Sequence, residues 1–246
     1  MKSFGFSHKG KIRPSNQDAY FIHNEKINIL QNLYIAADGM GGHSAGEIAS
    51  SGAIDAFVEY LRNNVCNDIP KCLEKAADYA NKFVYKNSLR DLEFEGMGTT
   101  FTAFTLSPEK EHCVLHAVHI GDTCIYTMNS QGMVKITTDH TYVNEMINLG
   151  RLSPEEAQHH PGRHILTRAL GTDNEVIADI ITLNINYGVK ILLCSDGLTN
   201  MVSDEDIHQI VISRNIEQAV YDLTDLANKN GGVDNITSIL VDLVEI

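Results

Sequence analysis

The sequence predicts a layered α+β fold in which helices cover antiparallel sheets, and three observations carry that expectation. Short β-rich runs are separated by only a few turn residues, as at Asn129-Ser130-Gln131-Gly132 and Asn186-Tyr187-Gly188. Connections that short make hairpins, and hairpins make antiparallel pairs. Helical periodicity is confined to a few segments, so helices and strands come in blocks rather than in βαβ alternation. Finally, 246 residues with 43% hydrophobic content suit one large domain with a sizeable core.

Taken in order, "AYFIH" (19–23) and "LYIAA" (33–37) are the first strands. From Ser44, apolar positions recur as Ile48/Ala49, Ala53, Ala56/Phe57 and Tyr60/Leu61, one buried face of an amphipathic helix. Ser44 and Glu47 have the spacing of a capping box at its start. A second helix begins near Asp68, with Pro70 in its first turn, and carries Cys72/Leu73, Ala76/Ala77, Ala80 and Phe83/Val84 inward. "TFTAFTL", "CVLHAVHI", "CIYTM", "MVKIT", "EVIADIITLNI" and "VKILLC" follow as strands. A third helix bears Ile216, Ala219/Val220, Leu223 and Leu226/Ala227, is stopped at Asn230-Gly231-Gly232, and leads to the strand "ITSILVDLV". The stretch from Asp139 to Gly171 is polar with weak helical patterning. It reads as a surface insertion, either a functional lid or a plain loop excursion. There is no internal repeat, low-complexity tract or linker.

The formal net charge is −13 and no basic run is visible, which argues against a nucleic-acid surface. No stretch approaches the ~20 apolar residues of a membrane span, and "MKSFGFSHKGKIR" lacks the apolar core of a signal peptide. The five cysteines (Cys66, Cys72, Cys113, Cys124, Cys194) form no CxxC pair, and several stand in apolar runs. They are expected to be reduced and structural, and the protein to be soluble and cytoplasmic.

Chemistry is concentrated in aspartates at the ends of strands. Asp38 follows "LYIAA" and precedes Gly39; Asp122 follows "VLHAVHIG"; Asp196 follows "KILLCS" and precedes Gly197; Asp234 follows Gly231-Gly232-Val233; Asp18 opens "AYFIH". One such Asp is an ordinary turn former. Five suggest a hard-cation site, because carboxylate oxygens suit Mg²⁺ or Mn²⁺, which keep several waters and need few protein ligands. Glycine beside a ligand permits φ > 0 and close approach of a carbonyl to the ion. Without metal, so many carboxylates would raise one another's pKa. A dinucleotide cradle at Gly39-x-Gly41 is disfavoured: Ser44 stands at the third glycine, and Glu59 lies on a helix rather than at a strand end. Zinc on His159, His160 and His164 lacks supporting cysteines or an HExxH pattern.

The segments "RPSNQDA" (13–19), "ADGMGGHSAGEIAS" (37–50), "MGTT" (97–100), "HIGDT" (119–123), "LTRALG" (166–171), "SDGL" (195–198) and "DNIT" (234–237) occur in this order over nearly the whole chain. Together they resemble the metal-dependent serine/threonine protein phosphatases of the protein phosphatase 2C (PPM) type, bacterial branch. The resemblance implies a four-layer sandwich of two antiparallel sheets flanked by helices, with a flap at about 141–165 and a centre for two Mn²⁺ or Mg²⁺ ions at one edge. It implies that Asp38 bridges the metals, that the Gly39 carbonyl binds one, and that Asp196 and Asp234 hold the other. Asp122 with Asp196 would hold a weaker third ion. Asp18 would act through water and Asn235 would orient Asp234. Arg13 would clamp phosphate, its planar fork suiting bidentate binding. Arg168 is expected to be structural, and Thr99 and Thr100 to support the sheet edge.

The implied activity is hydrolysis of phosphoserine and phosphothreonine on proteins by a metal-activated water, without a phosphoenzyme. The implied partners are phosphoproteins, including a cognate kinase and its substrates, and the implied state is a monomer. Two positions depart from the family. Met40 stands where animal members carry a histidine proposed as general acid, leaving His43 as the candidate, and Gln17 stands where many relatives have glutamate. A non-catalytic phosphoprotein-binding relative and an enzyme for small phosphoesters are the alternatives.

Overall fold

The structure, a computed structural model, describes residues 1–42 and 45–243. Its strands are β1 (Lys2–His8), β2 (Asp18–His23), β3 (Leu33–Met40), β4 (Gly98–Thr99), β5 (Phe101–Pro108), β6 (His112–Ile120), β7 (Cys124–Asn129), β8 (Gly132–Lys135), β9 (Asp179–Asn186), β10 (Lys190–Cys194) and β11 (Ile236–Asp242). Its helices are α1 (Ala45–Asn63), α2 (Ile69–Ser88), α3 (Tyr142–Asn148), α4 (Pro154–Gln158), α5 (Asp196–Thr199), α6 (Asp204–Ser213) and α7 (Ile216–Lys229). Among the described residues no helix is long and apolar enough to cross a membrane.

The strands form two antiparallel sheets, ordered β1-β11-β10-β7-β8 and β2-β3-β5-β6-β9, with β4 paired to β3. Their central strands are apolar on both faces because both faces are covered. In β3, Leu33, Ile35 and Ala37 face α1 and α2, while Tyr34 and Ala36 face the other sheet. In β10, Leu192 and Cys194 face α6 and α7, while Ile191 and Leu193 point between the sheets. The period of two thus builds three cores, and the layers run helix, sheet, sheet, helix. Small residues (Ala45, Ala49, Ala53, Ala56) form much of the buried face of α1.

Differences from the sequence reading have local causes. Phe83 and Ile48, expected inward, are 41% and 38% exposed; periodicity gives the direction of a buried face but not its width. The capping box expected at Ser44 lies outside the described residues. Cys66 and Cys72, expected as free thiols, are joined as a disulfide across the short α1–α2 connection, with Cα atoms 5.7 Å apart. Cys113, Cys124 and Cys194 are free and buried.

Between Thr141 and Leu166, which pair as a β-bridge, the chain leaves the sandwich and returns. The excursion contains α3 and α4, and α4 starts with a capping box between Ser153 and Glu156.

Candidate metal centre

The pairing of β2 with β3 sets Asp18 opposite Asp38. Asp38 sits near the end of β3, its backbone held by Thr99 and Thr100. The Thr100 hydroxyl accepts the Asp38 N–H at 2.9 Å, and the Thr99 hydroxyl donates to the Asp38 carbonyl at 2.9 Å. Gly39 donates its N–H to the Gln17 carbonyl at 3.1 Å. A Cβ at Gly39 would collide with the Gly46 carbonyl, and one at Gly197 with the Asn235 carbonyl. Neither has the positive φ that sequence reasoning expected of a glycine beside a ligand; close backbone approach is what requires them.

Asp196 begins α5 just beyond β10, and Asn200 donates to its Oδ2 at 3.0 Å. Asp234 precedes β11; its Oδ1 accepts the Asn235 N–H at 2.8 Å, and its Oδ2 receives Arg13 Nη2 at 2.7 Å. The Asn235 side chain binds elsewhere: Oδ1 accepts Gln17 N–H at 2.8 Å, and Nδ2 donates to the Lys9 and Ser15 carbonyls at 2.8 and 2.9 Å. It fastens the 9–17 loop to the base of β11. Arg13, Asp38, Gly39, Asp122, Asp196, Asp234 and Asn235 all line one cavity of about 1250 Å³. Asp18 lies behind it, where Ser195 and Thr237 hydroxyls donate to its Oδ2 at 2.8 and 2.6 Å. His43 lies outside the described residues.

The electrostatics follow from this crowding. Burial, and then the charges of Asp18, Asp196, Asp122 and Asp234, push the Asp38 carboxyl well above its ordinary range. Asp122 is pushed up by burial and then by Asp196 and Asp139. Asp18 rises to about 6, chiefly by burial, against the two hydroxyl donors that favour its charged form. Asp18 Oδ1 and Asp196 Oδ1 are buried acceptors without a hydrogen-bond partner. Among the described residues no three acidic, imidazole or thiol groups already close on one point as a ligand set. An all-oxygen ring around an open cavity, with orphaned acceptors and mutually raised carboxyls, fits hard ions that keep much of their water.

The insertion supplies part of the cavity wall through Gln158, His159, Arg163 and His164, and His164 Nδ1 is 3.8 Å from Asp196 Oδ2. In the sequence these histidines suggest only a zinc site, and no spacing there brings Arg163 to the cavity. The available signal was the basic cluster "HHPGRH" in an otherwise acidic chain. Arg168, expected to be structural, donates to Asp179 Oδ1 at 2.9 Å.

Residues 5–240 match the family model for protein phosphatase 2C. The chain is 34% identical over 239 residues to the serine/threonine phosphatase Stp of Listeria monocytogenes, covering 95% of this chain and 92% of that protein. Its fold matches the S. agalactiae serine/threonine phosphatase with a TM-score of 0.90 at 32% identity, over 99% of both chains. It matches the catalytic domain of the phosphatase PstP, in complex with two manganese ions, with a TM-score of 0.84 at 32% identity, over 99% of this chain and 98% of that one. The chain belongs to the protein phosphatase 2C family.

Proposed function

We propose that this protein hydrolyses phosphoserine and phosphothreonine on other proteins, using two Mn²⁺ or Mg²⁺ ions held at the acidic cavity. The observation that carries the proposal is the convergence of Asp38, Asp122, Asp196 and Asp234 from four remote strand ends on one cavity, with Asp18 buried behind them. Asp38 and the Gly39 carbonyl, with Asp196 and Asp234, would hold the two ions, and Asp122 with Asp196 a weaker third. When bound, such ions neutralise phosphoryl oxygens and acidify a water for attack on phosphorus.

The chain's own residues do the rest. Asp234 holds Arg13 at the cavity wall, and the guanidinium donors not used in that pair would take two phosphoryl oxygens. Asp18 and Asn235 fix the loop and strand ends that carry the ligands. Residues 141–165 form a flap over the substrate groove, contributing Arg163 and His164 to its wall. His43 is the proposed proton donor to the leaving alkoxide. The same reading makes the protein a cytoplasmic monomer that opposes a serine/threonine kinase in signalling. Three buried free thiols support that compartment and the Cys66–Cys72 bond counts against it.

The test is phosphate release from a phosphothreonine peptide by chelator-stripped protein, with Mn²⁺, Mg²⁺, Ca²⁺ or Zn²⁺ restored in turn. Activity recovered with Mn²⁺ or Mg²⁺ and lost in Asp38→Asn and Asp234→Asn supports the proposal. Silence with every ion in folded protein would turn the reading to a phosphoprotein-binding relative. Turnover of small phosphoesters with no peptide turnover would reassign the substrate.

A further inference from the structure

His140 stands at the root of the insertion, is 5% exposed by side chain, and has no place in the chemistry above. Its backbone N–H donates to the Gly121 carbonyl at 2.8 Å, and its ring Nδ1 accepts the Gly121 N–H at 3.1 Å. Both backbone groups of the residue before Asp122 therefore end on one histidine. Since Nδ1 accepts, the neutral ring carries its proton on Nε2, and Nε2 lies 3.2 Å from Asp179 Oδ2. Arg168, from the returning root of the insertion, reaches the other oxygen of Asp179 at 2.9 Å. Arg168 Nη1 also lies 3.2 Å from His140 Nε2, so with the ring proton on Nε2 the two nitrogens flank the Asp179 carboxylate as neighbouring donors.

The same residue joins the two roots. The His140 carbonyl accepts Thr167 N–H at 2.8 Å, and Tyr142 N–H meets the Ile165 carbonyl at 2.8 Å. The Gly121 turn has little freedom to absorb a change: its φ is +103° and a Cβ there would stand 2.6 Å from Thr100 Cβ. Thr100 in turn holds the Asp38 N–H. His119 packs beneath with its ring tilted, 4.8 Å between ring centroids, and is kept neutral, its pKa pushed down to about 3 chiefly by burial.

We propose that His140 is a positioning residue with divided duties: Nδ1 sets the turn that aims Asp122 into the cavity, and Nε2, through Asp179, fastens the flap. The metal half of this rests on reading the cavity as the ion centre. A merely structural histidine would lose both duties together whatever replaced it. The geometry allows them to be separated, because an Asn side-chain oxygen can stand in for Nδ1 and a Gln amide for Nε2.

The experiment compares His140→Asn with His140→Gln in full-length protein, with circular dichroism confirming that each folds. Amide hydrogen exchange is read at residues 121–123 without metal, Mn²⁺ binding by calorimetry, and phosphopeptide KM against kcat. In His140→Asn the turn should stay protected and the weakest Mn²⁺ site should hold within about twofold, while peptide KM rises several-fold through the loosened flap. In His140→Gln the turn should lose protection and the weakest Mn²⁺ site should weaken about tenfold or more, the range for losing a partner behind a ligand. Like behaviour of the two folded variants, or loss of the weak site in His140→Asn, overturns the assignment. If His140→Gln does not fold, the split between Mn²⁺ binding and KM in His140→Asn decides alone. Absence of Mn²⁺ binding in the unaltered protein would instead overturn the ion-centre reading, leaving the exchange data to judge the turn.

Discussion

Asp18 gives the acidic cluster a measurable cost in the metal-free protein. Its carboxyl is buried, with Oδ2 accepting two hydroxyls and Oδ1 accepting none, and its pKa stands at about 6 against an ordinary 3.8. A carboxyl raised on folding contributes stability that is complete below pH 3.8 and is lost as pH climbs through about 6. At about 1.4 kcal/mol per pH unit, that interval corresponds to roughly 3 kcal/mol lost by neutral pH. Asp18→Asn is uncharged throughout, and its side-chain oxygen can still accept from Ser195 and Thr237. Chelator-treated Asp18→Asn should therefore match the parent near pH 4 and exceed it by up to roughly 3 kcal/mol at pH 7.5, a gain of about 6–12 °C in Tm for a chain of this size. With Mn²⁺ present the order should reverse. The assay is thermal and urea unfolding from pH 4 to 8, with and without metal. Equal pH dependence of the two metal-free proteins would refute the reasoning.

Three further outcomes are expected. Arg13→Ala should lower phosphopeptide kcat/KM by about 10–100-fold, the value of a lost charge-assisted contact. Its stability should change by less than about 1 kcal/mol, because the ion pair to Asp234 is partly exposed, and steady-state kinetics with urea unfolding check both parts. Gly39→Ala forces a Cβ against the Gly46 and Gln17 carbonyls. It should cost about 1–3 kcal/mol and weaken Mn²⁺ binding, read by unfolding and calorimetry on one sample. Opening the Cys66–Cys72 loop should cost about 2 kcal/mol, so reductant should lower the Tm of the parent but not of Cys66→Ser. Activity should be unaffected, since neither cysteine lines the cavity.

The layered fold was legible where local chemistry and long-range packing agree. α2 starts at Asp68, whose side chain accepts Lys71 N–H, with Pro70 in the first turn, as the sequence indicated. Strands β1 and β4 and helices α3 to α6 were missed, and β1 and α6 show two of the causes. β1 contains Gly5, a strand breaker by propensity, yet it pairs with β11 along its whole length, and a Cβ at Gly5 would lie 2.7 Å from Ile22 Cδ1. α6 was announced by the Ser203–Asp206 cap, but it buries only Ile207 and Val211, too short a stripe to register as periodicity. Asp38, Asp122, Asp196 and Asp234 were readable because each stands at one end of an apolar strand and near glycine. The His140–Asp179–Arg168 set was not, because its members come from the two roots of the insertion and the start of β9 and share no spacing. The disulfide likewise depends on how closely α1 and α2 are joined.

The most direct test of the account is to count Mn²⁺ ions and measure phosphothreonine-peptide hydrolysis on the same samples of unaltered and Asp38→Asn protein. The account requires two tightly held ions and metal-dependent phosphate release in the unaltered chain, and loss of both properties in the folded variant. An Asp38→Asn protein that keeps its ions and its rate would show that the centre lies elsewhere.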